Sequence, residues 1–327
     1  MDIPRKGLFA FALIASAVAQ EPVTDVGALT AELQRAPSVD AEGVGIDGAR
    51  SPTYDLYTRW RDAATIAQLR ACTRHENPVV RAYAVRALVD RDADVDWVAL
   101  LRDHVDDTAK VTTFVGCCLA EEMVGDVMFG DLRRRFDEDQ RQDAAELLIR
   151  AASPLAAREY ALRALRLRDG MLHTVRELAA NGDLDAGVAL ARYRLPVDVP
   201  VLQRHLETLR ERDPWAENAP FLAAALHPDP RLLPALRAFE RSALARIGHD
   251  NPSRLRHWIA AVAAQRSADA AVFLVRFLDA ARPQSDFKER DLLRTLKEAL
   301  ADHGGDALEE FDALRAALAR REAAAAR

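Results

Sequence analysis

The sequence predicts an all-α fold made of stacked, repeated helix pairs. Three observations carry that prediction. The segment NPVVRAYAVRAL, Asn77 to Leu88, returns as SPLAAREYALRAL, Ser153 to Leu165. Half of the 327 residues are hydrophobic while only 6% are aromatic, a mix rich in alanine that suits closely packed helices. No sustained alternation of apolar and polar residues marks a strand.

The chain opens with MDIPRKGLFAFALIASAVAQEPV. Arg5 and Lys6 are a basic start, Leu8 to Ala19 is an uncharged apolar run, and Ala17-Val18-Ala19 offers the small-x-small pattern that signal peptidase cleaves. Residues 1–19 therefore read as a secretory signal with cleavage after Ala19. The apolar run falls short of the roughly 20 residues a membrane-spanning helix needs, and no cysteine follows the cleavage point to take a lipid. The expected product is periplasmic or secreted, with no transmembrane anchor after cleavage. Loss of Asp2, Arg5 and Lys6 takes the net charge from −6 to −7. An acidic chain has no global attraction for nucleic acid, and none is expected as a partner.

Residues 20–52 are expected to hold a short helix near 25–35 and then a flexible linker over 36–52, where Gly43, Gly45 and Gly48 fall. The helical array then fills 53–327. Its clearest signal is the match of RAYAVRAL (Arg81–Leu88) to REYALRAL (Arg158–Leu165), identical at six of eight positions and 77 residues apart. A fainter third copy is LRAF, Leu236–Phe239. That spacing reads as two helix-pair units per visible copy, since such units run roughly 37–47 residues. Val80, Tyr83, Ala84, Ala87 and Leu88 form one helical stripe, and Ala157, Tyr160, Ala161, Ala164 and Leu165 repeat it. Asn77-Pro78 and Ser153-Pro154 place a capping side chain before a proline in the first turn, as do Ser51-Pro52 and Asn251-Pro252.

Further helices are expected from the stripes Trp97, Leu100, Leu101, Val105 and Leu202, Leu206, Leu209, and over 140–152, 170–181, 184–194, 214–226, 254–265, 267–281 and 286–303. The charged, alanine-rich end after 305 suits a polar capping helix. Residues 112–143 depart from the array: Gly116, Gly125 and Gly130 interrupt an apolar segment before a charge run. Either a diverged repeat or a projecting binding loop accounts for it.

The stretch HENPVVRAYAVRALVD, His75 to Asp90, resembles the second helix of a HEAT repeat, in the short form also found in phycobilin lyases. Its marks are a proline at the helix start, then Val-Arg, then small residues and leucine. The pattern is clear at 77–90 and 153–166 and faint from 229 onward. The resemblance implies a right-handed α-solenoid of HEAT-like helix pairs, with a long curved face for a protein or peptide partner. It implies no activity.

Motifs for catalysis and cofactors are missing: there is no nucleophile elbow, phosphate loop, dinucleotide fingerprint or His-Glu-x-x-His. His75-Glu76 is the single His-Glu pair, too few for an iron site of the kind deoxyhypusine hydroxylase builds on HEAT repeats. Trp60, Trp97, Trp215 and Trp258 invite comparison with HEAT-like DNA glycosylases, but export and acidity oppose it, and they read as core or groove residues. His104 and His205 sit near apolar stripes and read as buried imidazoles. Asp103, Asp106, Asp107, Glu121, Glu122 and Asp126 read as a solvated acidic face, with no catalytic residue, metal or cofactor expected. Within it, Glu121, Glu122 and Asp126 are the candidate binding surface. Of three cysteines, Cys72 pairs with Cys117 or Cys118 in an oxidising compartment, or all three serve as small hydrophobes. The expected function is that of an exported interaction scaffold in cell-envelope assembly or maintenance. The alternatives are an envelope hydrolase or lyase with a dispersed site in the groove, or a structural spacer.

Overall fold

Helices dominate the chain, but a small sheet sits where the sequence announced none. The computed structural model describes residues 25–213, 215, 217–247, 252–283, 285–303 and 308–325, so the expected signal at 1–19 lies outside the described residues. The described residues form two compact units. One holds the chain up to Ala93 together with Lys110–Glu122, and the other holds Asp94–Ala109 and the chain from Met123 onward.

The first unit begins with α1 (Val26–Leu33), capped by the Asp25 carboxylate, which accepts from the Gly27 and Ala28 amides. The expected linker is instead ordered as β1 (Val39–Val44) and β2 (Ala49–Arg50), an antiparallel hairpin whose turn runs through Gly45 and Gly48, both at positive φ. Next come α2 (Pro52–Ala63), α3 (Ile66–Cys72) and α4 (Pro78–Asp90), with Ser51 and Asn77 capping α2 and α4 as their sequence predicts. After α5 (Trp97–Arg102), which belongs to the second unit, the glycine-broken segment forms β3 (Lys110–Gly116) and β4 (Cys118–Met123). Its first part is thus a strand pair, while Gly125 and Gly130 fall in the helix that follows, so the segment is not a plain diverged helix pair. The sheet order is β2-β1-β3-β4, with β1 parallel to β3. Because α4 packs against α1, α2 and α3 and also against β1 and β3, it is buried on every side, not along a single stripe.

The second unit continues with α6 (Val124–Leu132), α7 (Glu138–Arg150), α8 (Ala157–Ala164), α9 (Asp169–Ala180), α10 (Leu184–Ala191), α11 (Val199–Arg212) and α12 (Ala219–Leu226). Two short helices follow, α13 (Leu233–Arg237) and α14 (Glu240–Arg246), then α15 (Pro252–Ala263), α16 (Ala268–Ala280), α17 (Asp286–Asp302) and α18 (Asp312–Ala325). The seven numbered runs expected from periodicity all correspond to helices here. Consecutive helices α7/α8, α9/α10 and α11/α12 pack as pairs, and α8, α10, α12, α15 and α17 pack in succession. The other members form a second series of contacts, α7 with α9, α11 with α13, and α16 with both α14 and α18. The faint copy at Leu236–Phe239 starts in α13, outside the succession that holds α8, so its four letters do not mark an equivalent position. Among the described residues no helix is long and apolar enough to cross a membrane.

Helix ends are closed by two devices. At α4, α7 and α9 the chain turns through a left-handed residue: Asp92 at φ 50°, Ala152 at φ 46° and Gly182 at φ 94°. In each case the next amide reaches back five residues, Ala93 to the Leu88 carbonyl, Ser153 to Leu148 and Asp183 to Leu178. The second device is arginine, which supplies 41 of the 45 basic residues. Arg91 donates to the Arg61 and Ala64 carbonyls at the end of α2, and Arg192 to the Arg163 carbonyl in α8. Arg194 serves the Leu226 carbonyl at the end of α12, and Arg321 those of Leu278 and Ala281 at the end of α16. These arginines tie neighbouring helices together.

Two helices approach closely at Gly187 of α10, where a Cβ would lie 2.5 Å from Nδ1 of His205 on α11. His205 is buried, and its Nε2–H donates to the Ala179 carbonyl at 2.7 Å, which fixes the neutral tautomer. Burial pushes its pKa down, outweighing the hydrogen bond and the charge of Asp183, while Arg204 lowers it further.

Two predictions follow from these features. Ala152→Gly removes the steric cost of an alanine in the left-handed region, roughly 1 kcal/mol. Its melting temperature should rise by about 2–4 °C in a thermal scan, and a fall would count against the assigned turn. For His205, the unfolded chain takes up a proton below about pH 6.5 that the folded chain refuses. Stability is therefore complete above that pH and declines as pH drops toward 5. His205→Gln should flatten this decline in denaturant titrations at pH 7.5 and 5. An unchanged slope would remove His205 as its cause.

Candidate functional site

The two copies of the repeated segment meet different fates. In α4, Val80, Tyr83, Ala84, Ala87 and Leu88 are all fully buried, and the Tyr83 hydroxyl accepts from the Asp40 amide at 2.7 Å. In α8, Ala157, Ala161 and Leu165 are buried, but Ala164 is exposed and Tyr160 is 46% exposed. The uncovered part of the stripe opens on a cavity of about 510 Å³ bounded by α6, α7, α8 and the turn between α6 and α7. That volume lies within the usual range for ligand sites, roughly 300–1,000 Å³.

The cavity has an aromatic floor and a cationic rim. Phe129 of α6 sits with its ring centroid 5.7 Å from Tyr160 and 6.5 Å from Phe136, both pairs tilted. The Arg133 guanidinium lies 5.8 Å from the centre of the Tyr160 ring. Arg134 and Arg141 complete the rim, against one acid, Glu138. Arg134 is paired with Asp131 at 2.9 Å, and Glu138 is shared between Arg141 at 3.0 Å and Arg166 at 2.7 Å. Buried Gln142 holds the end of α8 in place: its amide donates to the Ala164 carbonyl and its oxygen accepts from the Arg166 amide at 2.7 Å. The site therefore offers flat apolar faces and guanidinium donors to one ligand, a set suited to an aromatic or aliphatic group flanked by carboxylates.

The acids named from sequence are placed differently. Glu121 and Glu122 stand on β4 in the first unit, whereas Asp126 lies on α6 in the second. Glu121 is exposed, and Glu122 accepts a hydrogen bond from the Thr113 hydroxyl across the hairpin. Asp126 is engaged by the fold: its carboxylate accepts from the Ala157 amide at 2.8 Å and the Ala156 amide at 3.3 Å. It thus caps α8 from outside. The expected cap, Ser153, instead donates to the Val105 carbonyl at 2.5 Å, and α8 starts three residues after Pro154. Gly125 makes this approach possible, since a Cβ there would lie 2.6 Å from Leu155 and 2.9 Å from the His104 carbonyl.

His104 is buried with Nδ1 3.8 Å from Asp107, and among the described residues no three metal-ligating side chains gather. Asp40, in the expected linker, is a buried acid. Its carboxylate accepts from Ser38 and Ser51, each at 2.5 Å, and its carbonyl accepts from Arg86 at 2.9 Å. Ser51 also caps α2, so Asp40 ties β1 to two helices and is committed to the fold. All four tryptophans are core residues. The cysteines are free thiols: Cys72 is half-buried at the end of α3, its pKa raised by desolvation, while Cys117 and Cys118 are exposed.

Compared with known proteins, the chain matches no family model, no curated protein and no solved structure.

Asp126→Ala leaves two amides at the start of α8 without their acceptor and should cost about 0.5–2 kcal/mol, the usual loss for a helix cap. Amide exchange resolved to residues 156–158 should quicken more than elsewhere, and Asp126→Asn, which keeps an acceptor, should lose less. Equal exchange in all three proteins would argue against the cap.

Proposed function

We propose that this chain is an exported protein-interaction scaffold, a right-handed α-solenoid of HEAT-like helix pairs that holds a partner segment in the cavity beside α8. The reading rests on one observation: the stripe that is sealed in α4 is left open in α8, where Tyr160 faces the cavity under Arg133. Tyrosine and arginine are, with tryptophan, the side chains enriched at the energetic centres of protein interfaces. The succession of packed helix pairs from α7 onward supports the solenoid reading, and the basic-then-apolar start of the chain supports export. The partner is a segment with an aromatic or aliphatic anchor between acidic residues. The anchor lies on Phe129 and Tyr160, and its flanking carboxylates meet Arg133, Arg134 and Arg141. A role in envelope assembly or maintenance fits such a protein.

The test uses labelled peptides carrying one phenylalanine among aspartates, with a matched peptide in which lysines replace the aspartates. Fluorescence anisotropy should show the acidic peptide binding and the basic one failing to bind. Tyr160→Ala and Arg133→Glu should each weaken binding about tenfold or more, equivalent to roughly 1.4 kcal/mol. Indifference to peptide charge, or wild-type affinity in both variants, would refute the site. Sequencing of the chain recovered from the envelope or medium should begin at Gln20; an intact Met1 would refute export.

A further inference from the structure

Phe287, in the first turn of α17, is 71% exposed. A single exposed apolar side chain is ordinary on a protein surface, so its exposure alone assigns it nothing. Its neighbours say more. Phe287 and Tyr160 are the exposed large aromatics among the described residues, and Tyr160 is the one that opens on the cavity beside α8. Beside Phe287 stands Asp286, exposed and without an ion pair among the described residues. Over Tyr160 stands Arg133, also exposed and without an acid partner among the described residues. We propose that the occupant of the cavity is a second copy of this chain, which lays Phe287 on the Phe129 and Tyr160 rings and sets Asp286 against Arg133. This inference rests on the reading of the cavity as a site for an aromatic anchor beside carboxylates, and it names the partner.

The match extends one turn further. Arg290 is exposed and lies three residues after Phe287, on the same helix face. The cavity rim, otherwise basic, carries the acid Glu138. Apolar, acidic and basic groups at the start of α17 thus each have a counterpart in the cavity. Within one copy they do not meet, because Phe287 is not among the residues that line the cavity and its side chain stays exposed. The start of α17 is also held in place: the helix packs on α15 and α18, and Glu289 pairs with Arg321 of α18 at 2.5 Å. An anchor presented on a fixed helix loses little freedom on binding. The two surfaces differ, so the contact is head-to-tail and propagates into a ring or an open chain, not a symmetric dimer. One helical turn entering one cavity is a small contact beside the roughly 1,200–2,000 Å² of stable complexes, so association should be weak and reversible.

The measurement is sedimentation velocity on the full mature chain from micromolar to near-millimolar concentration. The wild type should form species that grow with concentration past the dimer. Phe287→Ala and Tyr160→Ala should each weaken self-association about tenfold or more. Mixed together, these two variants should form a one-to-one complex and stop there, since one keeps the cavity and the other keeps the anchor. That recovery excludes misfolding as the cause of the separate losses, and Phe287→Ala should melt with the wild type. An excess of the phenylalanine–aspartate peptide should return the wild type to monomer. A chain that stays monomeric throughout yet binds the peptide would overturn self-association and leave the cavity reading standing; a monomeric chain that ignores the peptide would end both. Association that survives Phe287→Ala, or a mixture of the two variants that stays monomeric, would overturn the assignment.

Discussion

A helix of two or three turns leaves four carbonyls at its end and four amides at its start without partners of its own. Many helices here span only 7 to 14 residues, so a large share of their backbone is terminal. Meeting that demand governs the rest of the structure. Left-handed turns close α4, α7 and α9, and arginines carried on neighbouring elements close α2, α8, α12 and α16. A guanidinium suits this task because its five donors are held in a rigid fork, and hydrogen bonds from charged groups contribute about 1.5–3 kcal/mol each. Arg176 shows a related use: its bidentate pair with Asp198 at 2.6 and 3.0 Å ties α9 to the turn before α11, and Asp198 is almost fully buried.

Acidic residues are drawn into the same duty. Asp126, which looked like part of a solvated or ligand-binding face, accepts the first amides of α8 from a distance of 31 residues. Asp40 accepts from two serines, one of which is itself a helix cap. An acid in a polar stretch of sequence can belong to a solvated surface, a metal site or a remote cap. These have the same local composition, and only the fold separates them.

Much of the fold was readable because helices announce themselves locally. The stripe over 286–303 gives α17 (Asp286–Asp302) nearly to the residue, and Asn77-Pro78 marks the start of α4. The sheet was not readable, for reasons of distance and pattern. β1 carries the polar sequence VDAEGV with an irregular register against β3, and its partner residues, Val39 with Thr113, are brought together only by the fold. The candidate site was hidden for a subtler reason. Tyr83 and Tyr160 occupy the same place in nearly identical segments, but α4 packs among three helices and two strands of its unit, whereas α8 packs chiefly against α7 and α10. Identical periodicity therefore concealed one core tyrosine and one exposed one.

The parallel pairing of β1 with β3 also sets an order on folding. The first compact unit is discontinuous in sequence, and its last strands are not made until residue 122 has been synthesised. A chain emerging from a ribosome or a translocation pore in the N-to-C direction must hold β1 with one edge unpaired while α2, α3, α4 and α5 pass. Contacts of such long sequence separation form slowly, because loop closure precedes any gain from pairing. For that interval the nascent chain is open to strand exchange with other chains, so the topology places the risk of misassembly in synthesis and not in the finished structure.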